Sequence, residues 1–464
     1  MKSLLQIQPR IQAPLDPEFI PAILANRRYR AAVAQADRKT TLAIALEREN
    51  GLVSRSDVAI FAPGSEYDSD TLRFVERHVK FLLWAIGGWK LYLSGPAPIC
   101  AELQKRYALG GAREFDANLM ARVYDRPFTV EVVALAQMPA AKETSSTVGG
   151  HLEGCRIGFD LGASDYKISA VIDGQPVFTT EIPWQPVGAK DPQYHYAKIM
   201  EGLKSAATHL PRVDAIGGSS AGIYVDNQVK VASLFRAVPL DEFNQVVKPM
   251  FRKLQAEWGV PVVVINDGDV TALAGALSLE RNAMLGLAMG SSEATGYLDP
   301  QGRIRGYLNE LAFAPVDFNE NAAPDEWSGD RGVGALYFSQ QAVNKLAPAA
   351  GITFPNDMLL PERLKIVQSK ADAGDPAALR IFETIGVYLG YALPHYADYY
   401  DFANVLILGR VTSGRGGELI LEKAKTVLQQ EFPEFAVKVT LHVPDEKSRR
   451  VGQAVAAASL PEIK

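Results

Sequence analysis

The chain has 464 residues, too many for one ordinary core, so two or three domains are expected. Its apolar content of 47% and charged content of 22% are those of a globular protein, and a formal net charge of −5 argues against a nucleic-acid partner, whose phosphates need a basic surface. Two cysteines, Cys100 and Cys155, cannot build a thiolate zinc site and suggest a reducing compartment. The N-terminal residues carry no long apolar run. The most apolar stretch, Phe81 to Ile86, is broken by Gly87-Gly88, far short of a membrane span. A cytoplasmic protein without a membrane partner is expected.

Residues 1–150 read as a separate α/β unit. Residues 27–55 are dense in charge, alanine and leucine, and the basic cluster Arg27-Arg28-Tyr29-Arg30 at their start reads as a solvated helix face. A strand at 58–62, a helix capped by Asp70, a strand at 90–93, a helix at 98–107 and a strand at 130–133 follow. No helix-turn-helix pattern stands out. Residues 139–154, rich in Ala, Lys, Glu, Ser, Thr and Gly, read as a linker.

The apolar lead-in from Ile157, the turn Asp160-Leu161-Gly162-Ala163-Ser164 and the β-branched run to Ile172 then read as strand, turn, strand. Glycine lets backbone N–H groups approach a phosphate, and Lys167 lies just beyond. A helix at 194–209 precedes a strand that runs into the glycine-rich turn 217–222. A helix at 242–258 leads to the buried strand 260–265, which ends in Asn266-Asp267. An amide and a carboxylate between a buried strand and a helix stand where open α/β sheets bind ligands.

Met284 to Met289 is a strand ending in Gly290-Ser291-Ser292-Glu293-Ala294-Thr295-Gly296, with a second strand and an Asp-x-Gly turn after it. This repeats the layout around Asp160 and reads as a duplication of topology. Helices at 334–346, 376–400 and 416–432, strands at 405–409 and 438–442, and a small-residue helix at 450–458 complete the chain.

In order and spacing, these segments resemble the ROK family of sugar kinases and sugar-responsive regulators. The resemblance covers residues 156–460. Asp160-x-Gly162-x-Ser164-x-x-Lys167 is similar to the family's first phosphate motif and Gly217-x-Ser219-x-x-Gly222 to the turn before the sugar pocket. Asn266-Asp267 is similar to its catalytic pair, Gly290 to Gly296 to its second phosphate loop, and Gly409 with Ser413-Gly414 to its adenosine loop. The resemblance implies an α/β, two-lobed, actin-like ATPase (ribonuclease H-like) fold with an additional N-terminal α/β domain. The lobes would be residues 151–267, joined by 450–464, and 268–449.

The same resemblance implies ATP-dependent transfer of a phosphoryl group to a sugar, with Asp267 as general base. Gly222, Ser233, Asn266 and Glu310 would bind the sugar. Asp160 would hold Mg²⁺ through water. Gly162, Ser164, Lys167, Gly290, Ser291, Ser292, Thr295, Gly409 and Arg410 would hold the nucleotide. Family members are often dimers, so a homodimer is implied as well.

Several positions depart from the family. Phe313 replaces a histidine that binds both sugar and zinc. Glu326, Ser328 and Val333 stand where zinc cysteines would, so no zinc is expected. Ala335 replaces a second sugar-binding glutamate, and Ser233 stands at a position usually held by asparagine. Glu293 in the second phosphate loop would repel phosphate unless it points away or meets a metal, and Arg410 replaces a glycine. These changes keep open a sugar- or nucleotide-binding regulatory protein without transfer activity, and another activity on the same fold.

Overall fold

The computed structural model describes residues 3–143, 149–163, 165–443 and 446–463, without the side chains of 446–451. Part of the expected linker (144–148) and the phosphate-loop residue Ser164 therefore lie outside the described residues.

The N-terminal unit runs α1 (Ala22–Gln35), β1 (Lys39–Glu47), β2 (Val53–Phe61), α2 (Asp68–Ile86), β3 (Lys90–Ser94), α3 (Ala97–Tyr107), α4 (Glu114–Tyr124) and β4 (Thr129–Val132). Its sheet has the order β2-β1-β3-β4. In the charge-dense stretch 27–55, the basic cluster lies on α1 with Arg27 and Arg28 exposed. Within it, α1 buries Tyr29, whose hydroxyl donates to Thr71 Oγ1 at 2.9 Å, and β1 buries Leu42 to Leu46. Asp70 does not cap α2. Asp68 accepts from the Gly64 and Ser65 amides (2.9 and 3.1 Å), while Asp70 ties down the chain start through Ser3 Oγ and the Leu4 amide (2.6 and 2.7 Å).

The next part contains β5 (Cys155–Leu161), β6 (Asp165–Ile172), β7 (Gln175–Pro183), α5 (Pro192–Ala207), β8 (Ala215–Ser220), the hairpin β9 (Ile223–Val225) and β10 (Gln228–Val231), the short α6 (Leu240–Glu242), α7 (Met250–Trp258) and β11 (Val262–Asn266). Its sheet order is β11-β8-β5-β6-β7. The helix read over 242–258 is broken by a π-turn at Phe243–Val247 before Pro249, which offers no N–H for a continuous helix.

The remainder is α8 (Asp267–Leu279), β12 (Met284–Met289), β13 (Glu293–Leu298), α9 (Gln340–Leu346), α10 (Leu360–Asp372), α11 (Pro376–Tyr396), β14 (Asn404–Leu408), α12 (Gly414–Glu431), α13 (Pro433–Lys438), β15 (Thr440–His442) and α14 (Glu446–Ala458). Its sheet order is β13-β12-β14-β15. In both large sheets an antiparallel hairpin (β5/β6, β12/β13) is followed outward by two parallel strands (β8 and β11, β14 and β15). The duplicated topology read from the two glycine-hydroxyl turns is present in the sheets themselves.

The final helix α14 returns to the first sheet. A Cβ at Gly158 or Gly217 would meet the carbonyl of Ala454 or Ala457 at 1.8 or 1.6 Å, so only glycine allows this packing. The N-terminal unit shares one contiguous apolar core with the second lobe. Phe81 stacks on Tyr399 with ring centroids 3.9 Å apart, and Trp84 meets Phe313 at 4.4 Å. Among the described residues, no helix is long and apolar enough to cross a membrane.

Candidate active site

The parallel register of β5, β8 and β11 sets Leu161, Ser220 and Asn266 side by side at one sheet edge, with Asp160 opposite Ser219 one residue earlier. Strands lie about 4.8 Å apart, so this edge gathers groups distant in sequence. Asp160 is 8% exposed, and its Oδ1 accepts from Ser219 Oγ at 2.7 Å. Its Oδ2 has no hydrogen-bond partner among the described residues. Burial raises the pKa of this carboxyl, while the Ser219 bond and the Lys167 charge oppose the rise. Lys167 faces Asp160 across the β5/β6 register, with Nζ 3.5 Å from Asp165 Oδ1. Gly162 closes the turn: its amide donates to the Asp165 carbonyl at 3.0 Å, an oxygen that a Cβ here would meet at 2.7 Å.

Asp267 opens α8, directly after Asn266. Asn266 is the N-cap of that helix: its Oδ1 accepts from the Gly268 amide and its Nδ2 donates to the Gly222 carbonyl, both at 2.7 Å. Both ends of the amide are thus engaged with backbone, which fixes the turn that presents Asp267. Burial and the nearby Asp160 charge push the Asp267 carboxyl up to about 6.

Asp267 and Asn266 line a cavity of about 290 Å³ together with Gly222, Ser233, Glu310, Gly290, Ser291 and Ser292. This single space gathers the catalytic residue and all four sugar-binding residues expected from sequence, with the tip of the second phosphate loop. Glu310 makes no side-chain hydrogen bond or ion pair among the described residues, and burial with the Asp267 and Asp269 charges pushes it up to about 8. Its position is set from outside its own lobe. The amides of Leu308, Asn309 and Glu310 donate to the carbonyls of Ile86, Ala85 and Trp84 (3.2, 2.9 and 3.0 Å) at the C-terminal end of α2, where no further helical turn supplies donors. Trp84 and Leu119 of the N-terminal unit also line the cavity, as do Phe313 and Trp327.

Thr295 is not with the loop. The β12/β13 turn is only Gly290 to Ser292, so Thr295 sits inside β13 opposite Leu287, 1% exposed, and lines neither this cavity nor the one described next. Glu293 lies at the start of β13 but is 3% exposed, and its Oε1 accepts from Tyr396 Oη of α11 at 3.0 Å. Burial pushes it up to about 8 against that hydrogen bond. Burial favours the protonated carboxyl, which lines the same cavity as Asp267 while bonded to Tyr396.

Lys167, Gly409 and Arg410 line a second cavity of about 410 Å³, with Ser413, Gly275 and Gln453 on its walls. Gly409 has φ of 104°, and a Cβ there would meet the Met289 carbonyl at 2.4 Å, so the ends of β12 and β14 close on each other only over glycine. Arg410 is exposed at the rim, with no side-chain hydrogen bond or ion pair among the described residues. Asp160 lines neither cavity.

Among the described residues no group of three or more His, Cys, Asp or Glu is arranged to hold a metal. The free Oδ2 of Asp160 is a hard oxygen donor, which fits Mg²⁺ bound largely through water and phosphate. The segment that would carry zinc cysteines is tied by charge. Asp325 Oδ2 accepts from the Ser328 amide at 2.7 Å. Asp330 pairs with Arg77 (2.6 Å), Arg113 (2.9 Å) and Lys80 (3.3 Å), all from the N-terminal unit. These cations hold the Asp330 carboxyl well below its usual range despite its burial.

The sequence reading missed Trp84, Leu119 and Trp327. Nothing in their local pattern sets them apart from core or surface residues, and only the packing of the N-terminal unit brings the first two to the cavity.

No family model and no curated protein matches the chain. Solved structures do. A ROK family glucokinase from Streptomyces griseus, in complex with glucose and AMPPNP, is 19% identical, with 66% of this chain and 99% of that one covered at a TM-score of 0.51. A ROK family transcriptional regulator, a homolog of the E. coli MLC protein, is 18% identical over 65% of this chain and 76% of its own, at a TM-score of 0.53. The chain has the two-lobed actin-like ATPase fold of these ROK proteins.

Proposed function

We propose that the protein transfers the γ-phosphoryl group of ATP to a hydroxyl of a sugar, with Asp267 as general base. One observation carries this reading. Asp267 lies in a single cavity between groups suited to a sugar (Asn266, Ser233, Glu310) and the Gly290–Ser292 turn. The glucose and AMPPNP held by the Streptomyces griseus glucokinase support the same pair of ligands.

A hydroxyl is a poor nucleophile at neutral pH, and a base works best with a pKa near the working pH. Asp267, at about 6, is ionised there yet basic enough to take the proton. As the hydroxyl oxygen bonds to the γ-phosphorus, its proton passes to Asp267 and the bond to the bridging oxygen breaks, releasing ADP. Glu310, at about 8, keeps its proton and donates to a second hydroxyl. The amides and hydroxyls of Ser291 and Ser292 receive the phosphates at the turn that Gly290 closes, and Lys167, Gly409 and Arg410 hold the rest of the nucleotide. Mg²⁺ at Asp160 would offset phosphate charge. Trp84 and Leu119 shield the cavity from water, which would otherwise accept the phosphoryl group. Glu293 lines the same cavity, but with its carboxyl protonated and bonded to Tyr396 it does not oppose phosphate. The Asp330 ion cluster takes over the anchoring that zinc would give the following segment.

The test is a panel of hexoses, amino sugars and polyols incubated with ATP and Mg²⁺. One or more should yield ADP and a sugar phosphate in equal amounts. Sugars that raise the thermal midpoint while none is phosphorylated would overturn transfer in favour of a binding protein.

A further inference from the structure

Part of the cavity wall is aromatic. Trp84, buried at its base, meets Phe313 at 4.4 Å between ring centroids, and Phe313 stacks on Trp327 at 5.8 Å with 24° between planes. Trp84 Nε1 already donates to Asp116 Oδ1 at 2.8 Å, so the ring offers the cavity only apolar surface. Trp327, in contrast, is 63% exposed. It is held at the rim by an Asx-type turn in which Asp325 Oδ2 accepts from the Trp327 and Ser328 amides at 3.2 and 2.7 Å. A large aromatic ring stacked on one side and open on the other, at the mouth of a small polar cavity, is an unfilled binding surface. The cavity, about 290 Å³, has room for a monosaccharide, so Trp327 lies where a group attached to that sugar would project.

We propose that the substrate is a sugar bearing a flat apolar substituent, with its hydroxyls against Asn266, Asp267 and Glu310 and its substituent on the open face of Trp327. This rests on the transfer reading for the identity of the cavity. The wall favours a planar group because Trp327 is stacked on Phe313 with its other face open, and it selects by contact area. The polar side of the cavity has no comparable reach beyond one sugar.

The experiment measures binding by calorimetry, without nucleotide, of several hexoses and their phenyl glycosides to the native chain, Trp327→Ala and Trp327→Phe. At least one phenyl glycoside should bind more tightly than its parent hexose. Trp327→Ala should lose about fivefold in affinity for it and less than twofold for the parent, and Trp327→Phe should retain most of the gain. An unchanged thermal midpoint shows that the rim substitution leaves the fold intact. The proposal is overturned if no phenyl glycoside binds more tightly than its parent, or if Trp327→Ala affects both equally or neither. Because no phosphoryl group moves in this assay, binding that follows Trp327 without any later transfer would sink the transfer reading and leave the aromatic wall standing.

Discussion

The two hairpins that open the large sheets share a backbone plan and use their carboxyl groups in opposite ways. In β5/β6, Asp160 ends its strand at the edge that leads to Asp267, with one oxygen on Ser219 and a lysine across the register. In β12/β13, Glu293 opens its strand but turns inward to Tyr396, where burial keeps it protonated. Their support differs too. The first hairpin is held by its own sheet and α14, whereas the lobe of the second borrows the carbonyl end of α2 and the cations around Asp330. The sheets share a topology, while side-chain partners differ: Asp160 lines neither cavity and is bonded to Ser219, and Glu293 lines the Asp267 cavity as a buried group bonded to Tyr396.

Breaking the borrowed support has the largest effect. Asp330→Ala removes the carboxylate shared by Arg77, Lys80 and Arg113 in a largely buried cluster, leaving only Glu76 and Asp116 for the three cations, and should cost about 3 kcal/mol in denaturant unfolding. A loss below about 1 kcal/mol would mean the second lobe stands without the N-terminal unit. Next comes the buried carboxyl of the first hairpin. Asp160→Asn should lower turnover about a hundredfold at saturating ATP, because stabilisation of phosphate charge is lost while the fold persists. Turnover within a few-fold of native would remove Asp160 from the reaction.

Stability against pH separates the hairpins further. Glu293 ionises near 4.5 when exposed and near 8 in the fold. Between these values the folded chain binds the extra proton. The stabilisation is therefore full below about pH 4.5 and is lost as pH rises through 8, by at most about 1.4 kcal/mol per pH unit. Asp267, Asp269 and Glu310 add in the same direction. The native chain should lose stability from pH 5 to 8, and Glu293→Gln should flatten that fall. An equally steep fall in the variant would place Glu293 in water. The smallest effect is on rate: Glu293→Gln should change turnover less than twofold at pH 7, since a neutral group replaces a neutral group.

Much of this was legible before the fold. The alternation after Asp160, the glycine that closes its turn, and the amide-carboxylate pair at a strand-helix junction are local patterns with local causes. They located the hairpins, Asp267 and the repeated topology. The direction of Glu293 was not legible, because it depends on Tyr396, about a hundred residues later in sequence. Thr295 was read with the loop because hairpin register sets the length of the turn, and composition does not. Trp84 and Leu119 reach the cavity only because the N-terminal unit shares its core with the second lobe, although its composition reads as a separate domain. Asn266 was found, but its use as a helix cap follows from the backbone around Gly222 and Gly268.

The most direct measurement is phosphoryl transfer by Asp267→Asn, with sugar binding determined on the same preparation. The account predicts sugar affinity within a few-fold of native and a fall in turnover of about 10²–10⁴, the usual contribution of a positioned base. Turnover equal to the native rate, with the sugar still bound, would contradict it.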